Sequence, residues 1–197
     1  HYITRQPCPA DVEALLEKMS VHPGGRRLVM VTAHRRENFG QPLEDICRAL
    51  RQLAELYPND LALLYPVHLN PNVQEPVFRL LKDVPNITLT DPLDYLPMAH
   101  LLQRATLVLT DSGGIQEEAT GLGKPALVLR EVTERPEGVE AGVLKIVGTD
   151  PARIGGEARR LLDDPAAYHA MAHAANPFGD GHAAERIVAA LLQYKER

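Results

Sequence analysis

The feature that most constrains the fold is a set of short apolar runs with no polar alternation. RRLVMVTA (26–33), DLALLYPV (60–67), TLVLT (106–110), PALVLR (125–130) and LKIVG (144–148) are apolar at successive positions. A strand with one wet face alternates, whereas one that is apolar throughout is covered on both faces. NITLT (86–90) adds a shorter strand. Helical stripes lie between the runs. Residues 42–57 place Leu43, Ile46, Cys47, Leu50, Leu53, Ala54 and Tyr57 on one face, and Pro42 suits the first turn, where its missing N–H costs nothing. Further helices are expected over DVEALLEKM (11–19), 74–82, DYLPMAHLLQRA (94–105), 114–121, 151–162, 165–174 and 182–194. Strands alternating with helices predict an α/β fold: a Rossmann-like, doubly wound parallel sheet of about six strands with helices on both faces.

The expected division is a linker and leading helix over 1–27, a Rossmann-like ligand-binding domain over 28–175, and a C-terminal helical segment over 176–197, set apart by NPFGDG. The chain opens on His1, and HYITRQPCP reads as a linker entered midway, so a longer parent chain is expected.

Ligands of such sheets bind outside the carboxyl ends of the strands. HRRENFG, HLNPN, DP, DSGG and REVTERPE each follow a strand and therefore converge on one rim. In DSGG, Gly113 and Gly114 let backbone N–H groups approach an anion, Ser112 can add a hydrogen bond, and the following helix adds its positive end. The alternative is a helix capped by Asp111 or Ser112, with glycines easing the turn. Glu117 and Glu118 follow within the helix, where a carboxylate repels phosphate but accepts two hydrogen bonds from vicinal ribose hydroxyls. One of the pair is expected to do so and the other to be solvated; spacing alone does not choose between them.

His34, Arg35, Arg36, Glu37 and Asn38 crowd the end of the first strand. The arginines suit phosphate or carboxylate, and a histidine near Glu37 can act as acid or base. The alternative is a salt-bridged knot that orders the loop. Pro71 extends Asn70, presenting His68 and Asn70 at the rim as ligand or structural groups. Thr133 and Arg135, in the charged loop after the fifth strand, are candidate contacts beside the phosphate site. His100, His169 and His173 read as ordinary helical residues.

A formal net charge of -5 argues against a general nucleic-acid binder. No apolar stretch approaches a membrane span, and no signal peptide precedes the first helix. Cys8 and Cys47 form no metal cluster and are expected to be reduced thiols, which fits the cytoplasm. The sequence has no P-loop, GxGxxG fingerprint, zinc motif or Ser-His-Asp pattern.

TAHRREN, YPVHLNPNV, TDSGGIQEEA, GKPALVLREVTERPE and NPFGDG together closely resemble the non-hydrolysing UDP-N-acetylglucosamine 2-epimerases, in the same order and spacing from about Val29 onward. The resemblance implies a glycosyltransferase-B-like architecture of two Rossmann-like halves, this chain being the C-terminal, UDP-binding half. The N-terminal half, which brings acidic catalytic residues, is absent, so the chain alone is expected to be catalytically incomplete. The implied isomerase reaction interconverts UDP-GlcNAc and UDP-ManNAc by elimination and re-addition of UDP, without metal, nicotinamide or other cofactor, for cell-surface polysaccharide precursors.

By the same resemblance Ser112, Gly113 and Gly114 hold the diphosphate, Glu118 the ribose, and Arg135 lies near the phosphates. His34 is the catalytic histidine, and Arg35 and His68 belong to an activating UDP-sugar site. The implied partners are the UDP-sugar, the missing N-terminal domain and a second copy of the full-length enzyme, with no nucleic acid or membrane. A hydrolysing relative, a glycosyltransferase-B-type UDP-sugar transferase and a pure binding module are the alternatives.

Overall fold

The computed structural model describes residues 5–195; the first four residues of the expected linker and the last two of the C-terminal segment lie outside the described residues. Six strands form one all-parallel sheet. They are β1 (Arg27–Thr32), β2 (Leu61–Pro66), β3 (Ile87–Thr90), β4 (Ala105–Thr110), β5 (Ala126–Val128) and β6 (Leu144–Ile146). Their order is β3-β2-β1-β4-β5-β6, the doubly wound arrangement expected from the apolar runs. The order reverses between β1 and β4, and the carboxyl ends of these two strands flank the crevice position of a doubly wound sheet.

Nine helices are described: α1 (Ala10–Lys18), α2 (Gln41–Leu56), α3 (Pro71–Leu81), α4 (Tyr95–Arg104), α5 (Gly113–Gly121), α6 (Pro136–Glu140), α7 (Pro151–Asp163), α8 (Pro165–Ala172) and α9 (Ala183–Lys195). They split the core in two. Val29 and Val31 of β1 pack with Leu43, Ile46 and Leu50 of α2 and with Ile154 and Leu161 of α7. Leu28 and Met30 point the other way, into a cluster with Val12 and Leu16 of α1, Leu101 of α4 and Ala119 of α5. Both faces of each central strand are therefore dry, which is why the runs do not alternate.

The predicted stripe of α2 is buried except at Tyr57, which ends the helix and donates its hydroxyl to Asp163 at 2.7 Å. α3 starts three residues earlier than its apolar pattern suggests. Asn70 is extended, as expected before proline, and its side chain caps the helix by accepting from Asn72 N at 2.9 Å. Two short elements add to the expected set: α6, opened by Pro136, and a 3₁₀ turn at Arg36–Asn38.

The NPFGDG turn folds on itself through Asn176, which donates to Gly179 O at 3.1 Å and accepts from Phe178 N at 3.0 Å. The Phe178 ring lies against Gly138 of α6, where an added Cβ would sit 2.8 Å from it. Beyond this anchored turn, α9 leaves Ile187, Val188, Leu191, Leu192 and Tyr194 exposed. Both cysteines are free, and burial pushes the Cys47 thiol up to about 12. Among the described residues, no helix is long and apolar enough to cross a membrane.

Candidate functional site

β1 and β4 end side by side, and their trailing loops are pinned by one carboxylate. Asp111 is 0 % exposed. Its Oδ2 accepts from His34 N at 2.8 Å, Arg35 N at 2.7 Å and Asn38 Nδ2 at 3.0 Å. Asn38, itself buried, also donates to Leu129 O at 3.1 Å, drawing in the loop after β5. Three of the five rim loops are thus tied at one point. The loop after β2 joins them through His68, whose ring stacks on His34 with centroids 5.2 Å apart and planes 12° apart.

This pinning settles how α5 begins. Asp111 faces the 34–38 loop and Ser112 makes no capping hydrogen bond. Without a side-chain cap, the leading N–H groups of α5 remain available to an anion or water. Gly114 has open space where a side chain would stand, with no atom within 4 Å of the point a Cβ would occupy. An added Cβ at Gly113 would come 3.5 Å from Glu134 Oε2 and 3.8 Å from the Arg135 guanidinium, so the loop after β5 overhangs the glycine turn.

That loop is held by Arg130, which is 7 % exposed. Its Nε donates to Glu37 Oε1 at 2.5 Å and its Nη1 to Glu134 Oε1 at 3.2 Å. Glu134 Oε2 in turn lies 3.8 Å from Arg35 Nη2. The expected salt-bridged knot therefore exists, but Glu37 and Arg130 make it, leaving His34 outside. Thr133 donates to Gln116 Oε1 at 2.7 Å and accepts from Arg135 N at 3.1 Å, so its hydroxyl braces the loop.

The two glutamates have unlike surroundings. Glu117 is bonded to the Arg135 side chain. Glu118 has no cationic partner among the described residues, and burial, followed by the neighbouring Glu117 charge, holds its carboxyl above the usual range. His34 is held below its ordinary value, chiefly by burial; Asp111 opposes this, and His68 and Arg35 reinforce it. The imidazole is accordingly neutral at pH 7. Among the described residues no group of three or more His, Cys, Asp or Glu could hold a metal ion.

Of the residues singled out in the sequence, His34, Arg35, Asn38, His68, Thr133 and Arg135 are drawn together by these contacts, whereas His169 and His173 pair with each other at α8. Arg35 and His68 adjoin His34 directly: Arg35 Nε donates to Asp111 O at 3.3 Å, and His68 forms the stack. The residue that sequence reasoning undervalued is Asp111, weighed there only as a helix cap.

A family model described as UDP-N-acetylglucosamine 2-epimerase matches residues 8–192. A probable UDP-N-acetylglucosamine 2-epimerase of Ralstonia nicotianae is 56% identical over 193 residues, covering 96% of this chain and 51% of that protein. Among solved structures, an S. aureus MnaA–UDP co-structure superposes with a TM-score of 0.86 at 45% identity, covering 95% of this chain and 49% of the other. A Neisseria meningitidis UDP-GlcNAc 2-epimerase bound to UDP-GlcNAc gives 0.83 at 40% identity, covering 93% and 50%. The chain thus spans about half the length of the relatives it matches.

Proposed function

Because this chain belongs to the UDP-N-acetylglucosamine 2-epimerase family, we propose that it is the C-terminal, UDP-binding half of a non-hydrolysing epimerase acting in the cytoplasm. The observation that carries this reading is the uncapped, glycine-opened start of α5 at the β1–β4 crevice, overhung by Arg135. Ser112, Gly113 and Gly114 receive the diphosphate, and Arg135 approaches it from above. Glu118, which has no cationic partner among the described residues, accepts the ribose hydroxyls. Arg35 and His68 serve an activating UDP-sugar next to His34.

In this mechanism a proton leaves sugar C2 and the C1–O bond breaks, releasing UDP and a 2-acetamidoglucal. UDP then re-adds at C1 while C2 takes a proton on its other face, giving UDP-ManNAc. Donors at the α5 start and Arg135 offset the charge that grows on the departing diphosphate. His34 handles a proton at the reacting end. The remaining acidic groups come from an N-terminal half, against which α9 lays its apolar stripe, and the full-length enzyme is a homodimer.

The test is a UDP titration of this chain followed residue by residue by NMR. Amide shifts concentrated at Ser112–Gly114 and Glu118 are expected; no shift at millimolar UDP would remove the site. For the full-length protein, UDP-ManNAc formed from UDP-GlcNAc with no acceptor is expected. Free sugar plus UDP would assign the hydrolysing reaction instead.

A further inference from the structure

Asp111 leaves one of its two oxygens idle. Oδ2 collects three N–H donors, which fix the plane of the carboxylate. Oδ1 is buried and has no hydrogen-bond partner among the described residues. Nδ1 of His34 faces it at 3.8 Å. That is about 1 Å beyond a charge-assisted N–H···O bond. A buried acceptor without a donor is costly, so it persists where another state of the molecule supplies the donor.

The surroundings of His34 favour that state. The His68 ring covers one face of the imidazole at 12° to its plane, so the ring can slide within its own plane more easily than it can tip. His68 is itself held, its Nδ1 accepting from Asn70 N at 3.1 Å. The groups facing His34 are Asp111 from the turn before α5, His68 from the loop after β2, and Arg35 from its own loop, with Glu134 behind Arg35. Of the three that act on it directly, Asp111 alone favours the charged ring.

We infer that Asp111 is the positioning residue for His34: its idle Oδ1 receives Nδ1–H, fixing the tautomer and leaving Nε2 for the substrate. When Nε2 takes a proton, the charge that appears on the ring is met by a carboxylate already in place, and no solvent need enter the crevice. This rests on the reading of His34 as the proton-handling group. It gives the buried Asp111 carboxylate a role beside an anion site that would be better without one.

The experiment is a ligand-free pH titration of the His34 ring by NMR, in the chain and in Asp111→Asn. Asparagine keeps an oxygen for the three N–H donors but removes the charge. The His34 midpoint is expected to fall by about one pH unit, with the amide spectrum otherwise retained; an unchanged midpoint overturns the inference. Should D111N not fold, nitrogen shifts of the unmutated chain decide. A neutral ring protonated at Nδ1, with a deshielded Nδ1–H proton on acidification, supports the pairing. A ring protonated only at Nε2 until it becomes cationic, with no such proton, overturns it. No nucleotide is present, so failure here leaves the UDP site standing, and failure to bind UDP leaves the pairing standing.

Discussion

Glu117 and Glu118 are neighbours with opposite circumstances, and that difference is testable. On the proposed reading Glu118→Ala removes the acceptor of two ribose hydroxyl hydrogen bonds and should weaken UDP binding by about 1.5–3 kcal/mol, roughly ten- to a hundredfold in Kd. Glu117→Ala breaks a half-exposed ion pair with Arg135 and should change Kd less than about fivefold. Isothermal titration of both variants checks this, and the reverse ranking would assign the ribose to Glu117 instead. Because burial and Glu117 raise the Glu118 carboxyl, it gains its proton earlier on acidification than a free glutamate. UDP affinity should therefore fall with decreasing pH in the unmutated chain, and this part of the fall should vanish in Glu118→Ala. The choice between these residues was not legible in spacing, because the cation that separates them, Arg135, is 18 residues away. Asp111 was obscured for the same reason. Its donors lie 73–77 residues back in the chain, and locally it resembles a cap.

Among elements, the long strands and the helix of widest stripe were legible because their burial repeats along the sequence. Elements whose start depends on a single residue were not. α3 begins at Pro71 because Asn70 caps it, yet the apolar period becomes visible only from Val73. α6 has five residues, too few for a period, and Pro136 at its first turn was its only local sign. α9 was legible as a helix, and the NPFGDG break already set it apart from the sheet. Its apolar residues touch too little to hold it, and a helix of 13 residues is marginal in water by itself. Hydrogen exchange of this chain should find the α9 amides protected less than about tenfold, against far slower exchange in β1. Adding the proposed N-terminal half should slow them. Protection of α9 alone equal to that of α2 would contradict a helix awaiting a partner.

At the scale of the whole molecule, the fold class was legible because continuously apolar strands alternate with amphipathic helices, as a sheet dry on both faces requires. The meeting of the loops after β1, β2, β4 and β5 followed from strand direction. What joins those loops was not legible, since the joining bonds are all remote in sequence. The seam between β1 and β4 has a consequence for how the chain assembles. On one side of β1 the contacts are near, as between Arg27 and Asp60, 33 residues apart. Across the seam they are far: 77 residues from Asp111 to His34, 91 from Asn38 to Leu129 and 93 from Arg130 to Glu37. Longer loops close at greater entropic cost and later. Pulse-labelled refolding should protect the amides of β2 before those of β4, and the opposite order would contradict this. The crevice therefore closes late, after β1 has paired with β2. On the proposed reading of the site, a newly synthesised chain that holds nucleotide has already closed the β1–β4 seam, so occupancy doubles as a report that this joint is made.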